Sequence, residues 1–371
     1  MLSATAGALA VTILALAHRF IDLGTYLMGG AHALRGDLYT VTYQPTHLGF
    51  TYPPFAAILF APFSHLPPHL AQVAFAWLSL ACLFAVIAIS LRATCPTLAR
   101  RSVVWWSLLL TTPVGLLDPV RETFLLGQVN LLLALLVMAD MIVVPSTRRG
   151  YLVGVAAAVK ITPLILIPYL LLTHQRRAGH HALGAFVAAG AVTALVTPTV
   201  SWTYWTHDIW RPTSAGWLPW IANQGVIGVT DRLLGRTISV PTTFILVAAV
   251  CAAGLALAVR THRKSFLRGF LVIEATESMA SPVSWSHHFI WVILLIAWLA
   301  LAPERPAHGE WWAAATAAVF WAAPIWWVPH GPAVRFAGRG WLTVPGDSFF
   351  LVFATFAFAT WAGLRRDHVD A

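Results

Sequence analysis

Charge is what this 371-residue sequence has least of: Asp, Glu, Lys and Arg together make up 10% of it. Soluble domains carry roughly 25%. With 58% hydrophobic residues and a mean hydropathy of +0.74, the chain falls outside the soluble globular class and reads as a polytopic membrane protein. Cysteine is scarce as well. Cys82, Cys95 and Cys251 are scattered, two of them in apolar runs, so neither a disulfide framework nor a metal site is read from them. No Walker motif, dinucleotide-type glycine pattern or zinc spacing is present. A soluble nucleotide cofactor is therefore not indicated, no cofactor is expected, and a cytoplasmic nucleotide-sugar donor is disfavoured. No internal repeat of the kind built into many secondary transporters is visible. The net charge is +9, yet Lys and Arg fall in short clusters between apolar runs, which is the pattern of cytoplasmic loops and not of a nucleic-acid surface.

What is there is apolar length. Spans of roughly 20 residues are expected near 2–19, 69–92, 102–118, 126–145, 182–199, 242–260, 267–281, 286–302, 311–328 and 347–364. The fold class expected is thus an all-α polytopic integral membrane protein with about ten full spans, forming one domain over 1–371. An Ala-Leu-Ala near Leu14–Ala17 resembles a signal-peptidase site, but no positive charge precedes the apolar run, and a retained first span is expected. Basic clusters at Arg92/Arg100/Arg101, Arg148/Arg149, Arg176/Arg177, Arg260–Arg268 and Arg365/Arg366 mark the cytoplasmic side. The stretch 151–173 has a basic cluster at each end and Lys160, Thr162 and Pro163 at its middle. Pro disfavours helix in the residue before it, so a re-entrant or short helical hairpin with Lys160 at its tip is expected there. Both termini then face the cytoplasm. The polar loops 20–68, 119–125, 200–241, the 281–286 corner and 329–346 fall outside. Trp202, Trp205, Trp210, Trp217 and Trp220 give the 200–241 loop the make-up of an interfacial belt. Between proline pairs, Phe55–Phe63 is expected to form a short surface helix.

Four groups of residues could carry chemistry. Asp22 follows the first span directly, either as a solvated or capping acid or as a general base whose carboxylate is partly desolvated at the bilayer surface. Asp37 sits in Gly36-Asp37-Leu38-Tyr39 and reads as a turn former. The second group is Ser281-Pro282-Val283-Ser284-Trp285-Ser286-His287-His288, at an outer corner. Adjacent histidines on a helix point about 100° apart, so one of the two faces a given site. Just before it, Glu274 and Glu277 share a helical face inside an apolar run, where carboxylates need partners; pairing with Arg or Trp is the bland expectation. Third, Lys160 and Arg121 could hold a lipid phosphate, Arg121 having a local ion pair with Asp118 or Glu122 as its alternative. Fourth, Gln128 and Asn130 could bond backbone or ligand, Asn223 and Gln224 could orient a sugar, and Tyr52 and Trp285 belong to the aromatics that would shape a cleft. The carboxylates form no oxygen-rich ligand set, so a required metal is not expected.

The segments DLGTYLMGGAHALRGDLY, FTYPPFAAILFAPFSHLP, RETFLLGQVNLLLALLVMAD, GYLVGVAAAVKITPLILIPYLLL, NQGVIGVTDRLLG and SPVSWSHHFIWV together resemble glycosyltransferase family 87. These are GT-C-class actinobacterial mannosyltransferases that use polyprenyl-phosphate mannose. The resemblance runs from about residue 20 to 302; the last two spans match only in hydropathy. It implies a GT-C-like fold in the cell membrane and an active site on its outer face. It also implies a polyprenyl-phosphate sugar donor, a mannosylated glycolipid or lipoglycan acceptor, and inversion, with α-1,2 linkage expected. The family's catalytic Asp in the first outer loop maps onto Asp22 better than Asp37, and its functional His onto His287 or His288. A phosphate leaving group needs no strong general acid, so one base plus cations suffices. The main rival is a transporter or flippase of envelope lipids with Glu274, Glu277 and Lys160 in its pathway.

Overall fold

The computed structural model describes residues 12, 17, 18, 20–211, 217–331, 334, 336, 337 and 340–369. The expected first span, 2–19, lies outside them apart from Thr12, Ala17 and His18. Proline and glycine set most helix boundaries. After α1 (Ile21–His32) comes a hairpin of two-residue strands, β1 (Thr42–Tyr43) and β2 (Leu48–Gly49), with Thr42 opposite Gly49. Pro54 and Pro68 open α2 (Pro54–Phe60) and α3 (Pro68–Thr94) at first-turn positions, where their missing N–H costs nothing. Then follow α4 (Arg100–Gly115), α5 (Asp118–Leu126) and α6 (Asn130–Met138), the last running into a π turn at Ala139–Val143. Next come α7 (Tyr151–Val159), α8 (Leu166–Leu172), α9 (Arg176–Val196), α10 (Pro198–Thr206), α11 (Val226–Leu234) and α12 (Val240–His262). The chain ends with α13 (Phe266–Ala280), α14 (Val292–Leu301), α15 (Gly309–Ala322), the single turn α16 (Thr343–Gly346) and α17 (Ser348–Val369).

The protein is a mostly helical membrane protein, but ten full spans are not confirmed. Among the described residues α3, α9, α12 and α17 are long and apolar enough to cross a bilayer, and α4 with α5 makes a fifth if their 80° bend is counted within one span. The remaining expected spans are shorter: α13 has 15 residues, rising about 22 Å at 1.5 Å each, against a hydrocarbon core of about 30 Å. The region 119–125, expected to be a loop, is helix α5. The stretch 151–173 does fold back on itself. Gly150 packs on Ala178 and Gly154 on Ala182, while Leu171 returns to Gly179, so both ends lie against the first turns of α9. Its two basic clusters meet there, with Arg149 donating to Gln175 Oε1 at 2.9 Å. Asp140, from the π turn, accepts from the backbone N–H groups of Gly150 and Val153 and fixes where the hairpin starts.

The core runs through α1, α3, α6, α13 and α14, with fully buried Leu83, Val137, Phe270 and Leu294 among its members. One buried ion pair ties the Trp-rich region to the last helix. The Arg232 guanidinium, wholly buried, donates to Asp347 and, at 2.9 Å, to the carbonyl of Trp220. This packing brings five separated pieces of chain to one place: the start of α1, the segment around Tyr52, the α5–α6 junction, the hairpin tip and the 3₁₀ turn Ser286–Trp291.

Candidate functional site

Asp22 stands in the first turn of α1, which the buried, left-handed Phe20 (φ 36°) starts. Its Oδ2 accepts from Gln128 Nε2 at 2.8 Å. Gln128 can reach it because Gly127 ends α5 with φ +69° and has no side chain; a Cβ there would stand 2.8 Å from that of Leu23. The other end of the same amide is held by phenols. Tyr26 donates to Gln128 Oε1 at 2.7 Å, Tyr52 does so at 3.3 Å, and the two hydroxyls lie 2.8 Å apart. Gln128 is thereby locked with its NH₂ toward the carboxylate. Among the described residues Asp22 Oδ1 has no hydrogen-bond partner. The helix bearing Asp22 is none of the spanning helices, and burial pushes its carboxyl up to about 6, against the opposing effects of Gln128 and, farther off, Lys160.

On the other side of Tyr52 lies Lys160. Its backbone is extended between α7 and the 3₁₀ turn Thr162–Ile165, which throws the side chain off the hairpin tip. Nζ donates to Asn130 Oδ1 at 2.9 Å, meets His288 Nε2 at 3.0 Å and lies 5.7 Å from the Tyr52 ring centroid. As an ammonium Lys160 only donates, so His288 Nε2 accepts, and one of three N–H bonds remains for a ligand. Lys160, His288, Tyr52, Trp285, Tyr204 and Asp208 line a cleft of about 190 Å³. Asp22 is not on its wall and connects to it through Gln128 and Tyr52. Behind Lys160 and His288 is a void of about 30 Å³ that Glu277 also faces. That is roughly one water's share of the liquid.

The structure thus sorts the expected residues. Of the two histidines, His288 faces the cleft; His287 is buried behind it, its ring 4.8 Å from that of His288 and its carbonyl accepting from Asn130 Nδ2 at 2.9 Å. Gln128 and Asn130 position Asp22 and Lys160. Arg121 does not line the cleft: it donates to the buried Asp118 at 2.7 Å and lies 3.8 Å from Glu122, which is its ion-pair alternative. Asn223 and Gln224 are corrected outright. Both are fully buried with their amides engaged: Asn223 by Leu218, Pro282 and Ser284 backbone, Gln224 by Ile221, Gly346 and Phe349 backbone. No donor or acceptor is left over to orient a sugar. Instead they clamp the Ser281–Trp285 corner and the start of α17. Asp37 behaves as a turn residue, its carbonyl accepting from Thr40 and Val41, and its exposed carboxyl is held low by a hydrogen bond with His32. Glu274 and Glu277 find neither Arg nor Trp among the described residues; they sit beside each other, with Glu277 toward Lys160.

Sequence reasoning missed Asp208. Among the described residues its buried Oδ2 has no hydrogen-bond partner; it stands in the wall of the cleft within reach of the Arg211 charge and beside Tyr204, which stacks on Tyr39 at 5.4 Å. The signal was an acid amid tryptophans, His207-Asp208-Ile209-Trp210.

Known proteins resemble this chain over most of its length. The model of glycosyltransferase family 87 matches residues 50–282. A polyprenol-phosphate-mannose-dependent α-(1-2)-phosphatidylinositol pentamannoside mannosyltransferase of Mycolicibacterium smegmatis is 31% identical, covering 94% of this chain and 86% of its own. A polyprenol-phosphate-mannose-dependent α-(1-2)-phosphatidylinositol mannoside mannosyltransferase of the same organism is 34% identical over 80% of this chain and 73% of its own. The pentamannoside enzyme of Mycobacterium tuberculosis is 29% identical over 93% and 78%. No solved structure matches.

Proposed function

The chain belongs to glycosyltransferase family 87, and on that footing we propose that it moves mannose from polyprenyl-phosphate mannose to a phosphatidylinositol mannoside or related lipoglycan. The linkage proposed is α-1,2, formed with inversion on the outer face of the membrane. The observation that carries this reading is the placement of an uncommitted carboxylate oxygen and an ammonium N–H on either side of Tyr52, the ammonium on the wall of the cleft and the carboxylate linked to it through Gln128 and Tyr52. Asp22 takes the proton from an acceptor hydroxyl as that oxygen attacks the anomeric carbon. The bond from that carbon to the phosphate oxygen breaks on the opposite face, and its electron pair leaves with the polyprenyl phosphate. Lys160 neutralises the charge that develops on the leaving phosphate, with Asn130 and His288 holding the ammonium in place. Trp285 offers a face for a sugar ring and Asp208 an acceptor for its hydroxyls. The hairpin 151–173 acts as a re-entrant element in a GT-C-like fold, carrying Lys160 to the reaction from the side of its basic flanks.

The direct test supplies purified protein in nanodiscs with polyprenyl-phosphate [14C]mannose and a panel of phosphatidylinositol mannosides. Radiolabelled glycolipid and free polyprenyl phosphate are expected. A donor that only changes leaflet, with its sugar still attached, is the transporter's result and ends the proposal.

A pH profile follows from Asp22. With its carboxyl raised to about 6, the base form fills as pH rises through that value. Turnover at limiting substrate should climb about tenfold per unit below pH 6, level off above it, and fall again as pH rises through about 8, to which burial lowers the Lys160 ammonium. A profile already flat at pH 5 removes Asp22 as the group being titrated.

A further inference from the structure

A second cavity lies apart from the cleft at Lys160 and shares none of its lining residues. It is a groove of about 550 Å³ between α14, α15 and α17. Its walls are apolar, among them Leu295, Trp312, Val319, Leu351 and Phe356. From Ser348 to Thr360 it follows α17, a distance of about 18 Å at the helical rise. Its volume equals roughly 18 water-sized groups at about 30 Å³ each, suited to one hydrocarbon chain and too small for a helix.

The charged groups of the groove, Arg268 and Glu304, gather at one end. There Glu304 accepts from Ser265 at 2.9 Å and from Trp298 Nε1 at 3.2 Å, so the indole is satisfied. Arg268 is only partly satisfied: Glu304 is near enough to feel its charge, and its guanidinium carbon lies 5.9 Å from the Trp298 ring centroid, yet its buried Nε has no hydrogen-bond acceptor among the described residues. Further cations stand at this end: exposed Arg263 and Lys264 just before α13, and Arg365 and Arg366 beyond Thr360 on α17. The basic-cluster rule assigns this end to the cytoplasmic leaflet, the face where anionic lipid collects. A buried N–H without an acceptor is costly, and the cations at this end, Arg268, Arg263, Lys264, Arg365 and Arg366, outnumber Glu304, which leaves room for a further anion.

We propose that this groove binds one acyl chain of an anionic glycerophospholipid, its headgroup phosphate accepting from Arg268. The site is separate from the transfer reaction and stands or falls independently of it. A lipid seated there fills a groove between three helices that already touch, as Phe320 and Phe349 do at 4.1 Å between ring centroids and Trp298 and Phe356 at 5.8 Å, and so adds to the hold between them.

The test is native mass spectrometry of the purified protein exposed to equal phosphatidylglycerol and phosphatidylcholine. The wild type should retain one phosphatidylglycerol in preference by about fivefold or more, the order of one basic residue at an anionic surface. Arg268→Gln should erase the preference. Ala315→Trp, which fills the groove without touching a cation, should remove the adduct altogether. Both variants would first be shown monodisperse and helical. Equal retention of the two lipids by wild type, or a selective phosphatidylglycerol adduct that survives either substitution, overturns the assignment.

Discussion

Asp22→Asn is expected to lower turnover by about 10³–10⁴-fold, the upper range for loss of a positioned general base. The substitution is a clean one. Asn keeps an oxygen in the place of Oδ2, so the bond from Gln128 Nε2 and the phenol pair behind it can persist. What it removes is the carboxylate, and with it the rise in activity through pH 6. Donor binding, which depends on Lys160, should change little, so the loss should appear in kcat and not in KM for the polyprenyl donor. Asp37→Asn is the paired control. Its carboxyl is exposed and bonded to His32, so activity should stay within about threefold of wild type. Turnover by Asp22→Asn at near wild-type rate, or a large loss from Asp37→Asn, would reverse the assignment of the base.

Lys160→Met should cost about 10²–10³-fold in kcat/KM, the usual effect of removing one donor that faces a developing negative charge. Here KM for the donor should rise along with the fall in kcat, because the ammonium meets the phosphate both before and during transfer. Met matches the length of the apolar stem but leaves Asn130 Oδ1 and His288 Nε2 without their shared donor. Asn130→Ala, which releases Lys160 without removing its charge, should therefore show a smaller loss of the same kind. Arg121→Gln is the discriminating comparison. Its guanidinium is bound to Asp118, and its removal should spare catalysis. Should Arg121→Gln prove more damaging than Lys160→Met, the phosphate is held at α5 and the hairpin tip has another job.

Much of this site was legible without coordinates because rare residues mark it. In a chain with so few charges, a lysine in the middle of an apolar hairpin and an acid directly after an apolar run stand out; Lys160 lines the cleft, and Asp22 is joined to it through Gln128 and Tyr52. Long apolar helices were equally plain: the expected spans 69–92 and 242–260 are observed as Pro68–Thr94 and Val240–His262. Periodicity could not count the spans, since α13, α14 and α15 are apolar without being long, and hydropathy measures only the first property. Nor could it separate polar residues that serve the site from those that serve the backbone. Gln128 and Gln224 follow the same rule, a buried amide with both ends occupied, yet one bonds a carboxylate and the other bonds main chain.

The sequence alone determined the solvent, the family and the identity of the charged groups, because composition, motif order and rarity are properties of the chain itself. The tertiary structure decided which of those groups meet. Asp22 and Gln128 are 106 residues apart, and Lys160 and His288 are 128 apart. It also chose His288 over His287, put Asn223, Gln224 and Arg121 out of reach of the cleft, and brought Asp208 into it. Such choices rest on helix packing and on the exit angle of each turn. A pattern of residue types does not carry either, since adjacent histidines differ by 100° in direction and by nothing in chemistry.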